Sequence, residues 1–159
     1  MEGGKIMKTW TSDIEIKAPI EQVFKYFSGS LEEMQKIMPK VIDQQPIKVT
    51  EEYVGSVYRQ KYKEGKRVEE YDVKTLEYLN EADHKQLKIG FNLSNIFEIT
   101  AAYEFKNLDE NKTYLKYTTS NRPLKWFVKI FLFFASDKVV VEFLERVKQV
   151  AETEAKEIE

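Results

Sequence analysis

Three patterns in this 159-residue chain predict an α+β fold, a seven-stranded antiparallel sheet laid against a long C-terminal helix with two short helices after strand 1. From Asn121 to Ile158 runs one helical pattern, or two in tandem: Pro123 sits where a first-turn proline is tolerated, and no glycine or proline follows it. From Val41 to Ser120 the pattern changes to alternating runs divided by turn signals. A further alternating run opens the chain, and two short helical clusters follow it. Strands joined by short turns pair antiparallel, and a helix with so much apolar surface needs a sheet to cover it.

Taken in order, residues 9–17 put Trp10, Ser12, Ile14 and Ile16 on one face and Thr11, Asp13, Glu15 and Lys17 on the other, as in a half-buried strand. Ala18-Pro19 opens a short helix with proline in its first turn, Glu21 and Gln22 near its positive end, and Ile20, Val23, Phe24 and Phe27 as its buried face. Ser28-Gly29 stops it. Ser30 and Glu33 have capping-box spacing, so a second helix starts there, buries Leu31, Met34 and Ile37 or Met38, and is closed by Pro39. Residues 41–52 read as an edge strand, because Pro46 cannot donate to a ladder. Runs 54–63 and 67–78 flank the hairpin signal Glu64-Gly65-Lys66, and runs 84–91, 97–105 and 113–120 follow across short turns. In the second half of the C-terminal helix, Val140, Phe143, Leu144, Val147, Val150 and Ala151 recur at spacings of three and four and share one face.

The chain has the length of one domain, residues 1–159, and chains of that size bury roughly 70% of their unfolded surface. With 25 basic against 27 acidic residues and no basic cluster interleaved with aromatics, nucleic acid is not an expected partner. The absence of cysteine excludes a disulfide framework, and one histidine leaves only His84 plus carboxylates for a metal, so neither metal nor cofactor is expected. No signal-like apolar segment opens the chain. Its longest apolar run, Trp126 to Ala135, is interrupted by Lys129 and falls short of the ~20 residues that span a bilayer, so a soluble, cytoplasmic protein is expected.

Within this order, Ile14-x-Ile16-x-Ala18-Pro19-x-x-x-Val23-Phe24 is similar to the opening strand and first helix of the START-like, Bet v 1-like superfamily. Met38-Pro39-x-Val41 and, more weakly, Val54-Gly55-Ser56-Val57-Tyr58 stand where its second and third strands begin. Over essentially its whole length the chain resembles the helix-grip fold of that superfamily, which includes pollen-allergen-like proteins, lipid-transfer domains and polyketide cyclases. The resemblance implies a strongly bent sheet wrapped around the long helix, with an apolar cavity between them. Because the superfamily has no universal catalytic motif, it implies a ligand and not a reaction.

Alternation nominates the residues that face inward. Tyr58, Tyr62, Tyr71, Tyr103 and Tyr117 share inward faces with Phe91, Phe97 and Ile99 and with Val73, Leu87, Ile89 and Leu115. Trp126, Phe127, Ile130, Phe131 and Phe134 of the long helix would face them. Aromatic stripes are normally core, and periodicity alone describes a filled interior equally well. The resemblance turns the reading toward a cavity, in which phenols that need partners serve as polar handles for a ligand. His84, beside Asp83 at a predicted turn, reads as a solvated surface residue, and nothing places it in a Ser-His-Asp triad. Glu69 shares parity with Tyr71 and Val73 and is the one strand carboxylate to consider for acid–base work, against the plainer reading of a sheet-end or outward charge.

Binding or transport of an apolar small molecule or lipid is the first functional reading, with no catalytic residue nominated. A cavity enzyme of the polyketide cyclase/dehydrase type is the second. The third is a domain that uses its aromatic helix, 123–135, on a protein partner or in a peripheral membrane contact. It follows from a mismatch within the helix. At about 100° per residue from Trp126, the seam Arg122, Lys125, Lys129 and Ser136 falls at about 260° to 320°, in line with the second half's apolar stripe near about 300°. A straight helix would oppose the two faces. The sequence therefore predicts a kink, break or change of partner at Ala135-Ser136-Asp137, with the segment before it acting as an aromatic lid over the cavity mouth.

Overall fold

The computed structural model describes residues 7–93, 97–124 and 136–158. Its elements run β1 (Lys8–Ile16), α1 (Ile20–Ser28), α2 (Leu31–Ile37), β2 (Val41–Lys48), β3 (Val57–Glu64), β4 (Arg67–Asn80), β5 (His84–Leu93), β6 (Phe97–Asp109), β7 (Lys112–Pro123) and α3 (Asp137–Ile158). The seven strands form one antiparallel sheet in the order β1-β7-β6-β5-β4-β3-β2. A meander from β2 to β7 is thus completed by β1, which pairs with β7 through nine register positions from Lys8↔Asn121 to Ile16↔Thr113. Pro46 lies in β2, an outer strand, where its missing N–H removes no interior ladder bond.

Local chemistry accounts for the joints. The β3–β4 hairpin turns at Gly65, whose φ of 60° suits a residue without Cβ. Ser30 caps α2 by accepting the Glu33 amide at 3.3 Å. Lys85, 1% exposed at the start of β5, is held at three acceptors: Asn80 Oδ1, the Glu81 carbonyl at 3.0 Å and Glu21 Oε2 at 2.8 Å. Its ammonium also lies 5.3 Å from the centre of the Phe24 ring. One cation therefore ties the first turn of α1 to the β4–β5 turn, an anchor that alternation did not reveal.

The core forms where α1 and α3 cross the sheet. Val23, Phe24 and Phe27 of α1 are buried, and Phe24 and Phe27 meet Phe105 of β6 edge-on at 5.2 Å and 5.1 Å. Val140, Leu144, Val147 and Ala151 of α3 are buried as the stripe predicts, with Phe143 and Val150 partly so. Leu115 is fully buried here. At the far end of α3, Glu154 accepts from the Tyr26 hydroxyl at 2.7 Å and from Lys36 at 2.8 Å, joining α1, α2 and α3.

The structure ends β2 at Lys48 and starts β3 at Val57, short of the strands read over 41–52 and from 54, and it moves the start of the long helix furthest. Asn121, Arg122 and Pro123, read from sequence as the start of the long helix, are the last residues of β7 and pair with Ile99, Glu98 and Phe97. Arg122 is held there by Glu98 at 2.6 Å, and Pro123 sits at a strand end, where its missing donor costs nothing. Of the break predicted at Ala135-Ser136-Asp137 only the C-terminal side falls within the described residues: α3 begins at Asp137, and the Ser136 carbonyl accepts from the Val139 amide at 3.2 Å. The lid, with Trp126, Phe127, Ile130, Phe131 and Phe134, lies outside the described residues.

Candidate functional site

Beside the α1–α3 core a cavity of about 300 Å³ opens over the inner face of the sheet. The register lays its floor in rows. Gln44, Gln60 and Tyr71 stand opposite one another on β2, β3 and β4. The next row pairs Tyr58 with Val73. Thr75, Ile89 and Ala101 follow on β4, β5 and β6, and then Leu87, Tyr103 and Tyr117 on β5, β6 and β7. Met34 of α2, Met38 just after it and Phe27 of α1 close one side.

Of the residues nominated from sequence, Tyr58, Tyr62, Tyr71, Tyr103 and Tyr117 all line this space, as do Phe91 and Ile99. Phe97 does not; it sits at the strand end opposite Pro123, beyond the hollow. Glu69 pairs with Tyr62 near the open end of β4 and meets Arg67 in an ion pair, outside the cavity lining. His84 is the first residue of β5, half-exposed, with Nε2 3.0 Å from Glu104 on the outer face. That contact holds the Glu104 carboxyl below its ordinary range. Among the described residues, no three His, Asp or Glu side chains stand where they would hold a metal ion.

Sequence reasoning missed the glutamines and the second tyrosine pair. Gln60 shares the parity of Tyr58 and Tyr62 and was findable as an amide on an otherwise apolar face. Tyr78 was not, because a register shift between Thr75 and Glu77 swaps the inward parity of β4 from odd to even residues. Tyr53 lies in the β2–β3 connection with φ of 70°, the left-handed region a tyrosine rarely enters. Its ring stacks on Tyr78 at 4.2 Å, so the strained residue forms part of the wall. The loop is pinned around it by Thr50 and Ser56, with the Thr50 amide donating to Ser56 Oγ at 3.0 Å.

The described lining is neutral. It contains phenols, amides, hydroxyls and apolar groups, and no carboxylate, amine, guanidinium or imidazole. Burial pushes the Tyr71, Tyr103, Tyr117 and Tyr78 phenols above their usual value, which keeps them protonated at physiological pH. Tyr71 stacks on Phe91 at 4.7 Å, and Tyr103 on Tyr117 at 4.9 Å. The surface can therefore offer flat aromatic faces and neutral hydrogen-bonding groups, and it holds no described group poised to exchange a proton near neutral pH.

No protein-family model and no curated protein sequence matches the chain. Solved structures do. Norcoclaurine synthase from Thalictrum flavum superposes with a TM-score of 0.65 at 14% identity, over 91% of this chain and 93% of that one. The Zhui aromatase/cyclase from a Streptomyces species gives 0.69 at 14% identity, over 92% and 94%. A major latex-like protein from Panax ginseng gives 0.64 at 17% identity, over 94% and 97%. At such identities the likeness is one of architecture, and together with the strand order and the long C-terminal helix it establishes that this chain has the helix-grip fold.

Proposed function

We propose that the chain acts as one ligand-binding domain that binds or carries an apolar small molecule or lipid in the cavity over its sheet. The observation that carries this reading is the neutral, largely apolar hollow of about 300 Å³, at the lower end of the roughly 300–1,000 Å³ of small-molecule sites. Tyr58, Tyr62, Tyr71, Tyr103 and Tyr117 would supply polar contacts, and Phe91 and Ile99 apolar ones. On the absence of an acid–base group from the described lining, we place binding ahead of catalysis of the aromatase/cyclase kind named for one of the structural neighbours. Among the described residues no helix is long and apolar enough to cross a membrane, and a cytoplasmic carrier is the setting we favour. Native mass spectrometry of gently purified protein tests the proposal. A co-purifying neutral small molecule, lost on mild organic extraction, is the expected result. Protein that carries nothing and takes up no apolar dye saturably would overturn it.

A further inference from the structure

The row Gln44, Gln60 and Tyr71 is a chain of hydrogen bonds with a direction. Gln44 Nε2 donates to Gln60 Oε1 at 3.1 Å, and Gln60 Nε2 donates to the Tyr71 hydroxyl oxygen at 3.1 Å. Register places the three directly opposite one another on adjacent strands, so the chain is built into the sheet. Because an amide nitrogen can only donate, the Tyr71 oxygen is the acceptor and its own proton is left to point elsewhere. Among the described residues that proton has no acceptor. The neighbouring phenols differ: Tyr62 lies beside Glu64, Tyr103 beside Tyr117, and Tyr117 beside Thr119.

The row also invites explanation by its position. Gln60 is 8% exposed on a face whose other members are mostly apolar or aromatic, and a buried amide there is harder to satisfy than leucine or valine. Gln44 fixes it by occupying Oε1, which turns Nε2 toward Tyr71; a contact from Gln44 Nε2 to Met34 Sδ at 4.0 Å steadies Gln44 in turn. Phe91, stacked on the Tyr71 ring, fixes the plane of the phenol. The oriented donor thus sits at the edge of a flat aromatic surface.

Resting on the reading of this cavity as a ligand site, we infer that Tyr71 is its specificity-determining donor. The ligand is an uncharged ring compound that presents a carbonyl or ether oxygen to the Tyr71 hydroxyl. An ionised carboxylate or an ammonium would enter a described lining that has no opposite charge to receive it.

The tricyclic ketone 9-fluorenone and its parent hydrocarbon fluorene share a skeleton and differ in one acceptor, which makes them suitable probes. Both would be titrated by displacement of an environment-sensitive dye, with wild type and Tyr71→Phe, a variant that keeps the ring and its stack. The affinity ratio of ketone to hydrocarbon should fall roughly threefold to tenfold in the variant, the range of one net hydrogen bond. The carbonyl stretch of bound fluorenone should lie lower in wild type than in Tyr71→Phe, a shift that loss of packing alone would not produce. Unchanged ratio and stretch with both probes bound would overturn the inference and leave the binding reading standing. Failure of wild type to bind either probe or the dye would overturn both.

Discussion

Strand β6 passes through two different interiors. At its C-terminal half Phe105 is fully buried, boxed in by Phe24 and Phe27 of α1, and Leu115 opposite it on β7 is fully buried as well. A few residues back along the same face, Ile99 and the methyl of Ala101, which is itself only 4% exposed, line the cavity. The change in residue size accounts for much of the contrast. Phe105 and Tyr103 reach the helices, whereas Ala101 ends at its methyl group, and Ile89 and Thr75 beside it in the row are no larger than aliphatic. One sheet therefore carries a solid core at one end, which stabilises the fold, and a hollow at the other, which is free to serve a ligand.

Truncation should separate the two ends most clearly. Phe105→Ala removes a fully buried ring from the packed end and should cost about 3–5 kcal/mol, lowering the thermal midpoint by roughly 10 °C. Ile99→Ala, at the hollow end, should cost under about 2 kcal/mol, because its side chain already borders a space and leaves less new void. Calorimetry of the two variants checks this; equal losses would mean that the hollow is as tightly filled as the core.

A smaller effect should appear at the far end of α3. Hydrogen bonds from Lys36 and Tyr26 hold the Glu154 carboxyl below its ordinary range. A depressed folded-state value gives stabilisation that is complete above the unfolded value of about 4.3 and is lost as pH falls through the folded one. Denaturant midpoints measured between pH 6 and pH 3 should therefore decline in wild type. Glu154→Gln should flatten that decline by less than about 1 kcal/mol, since both partners are about one-third exposed.

The packed end was the more legible in sequence, for a physical reason. Core faces repeat: Ile20, Val23, Phe24 and Phe27, or Val140, Leu144, Val147 and Ala151, follow helical spacing, and burial follows from the spacing. The hollow's tyrosines could be read in the same way, because strand parity carries them. What parity could not carry were Tyr78, moved inward by a bulge, Tyr53, placed by a loop with an unusual backbone, and the pairing of Gln44 with Gln60, since parity turns Gln60 inward but only cross-strand register sets Gln44 opposite it. The extension of β7 through Pro123 was also hidden, since a proline at a strand end and one in a first helical turn look alike without the partner strand.

The central claim is that the space above Ala101 exists to hold a ligand, and filling it from within tests that most directly. Saturable binding of an environment-sensitive apolar dye would be titrated for wild type and Ala101→Phe, with thermal midpoints measured alongside. One saturable site in wild type, abolished in a folded Ala101→Phe, is the predicted result, because a ring grown from this cavity-lining methyl, itself only 4% exposed, takes up the space that a ligand would use. Unaltered dye binding in a folded Ala101→Phe would contradict it.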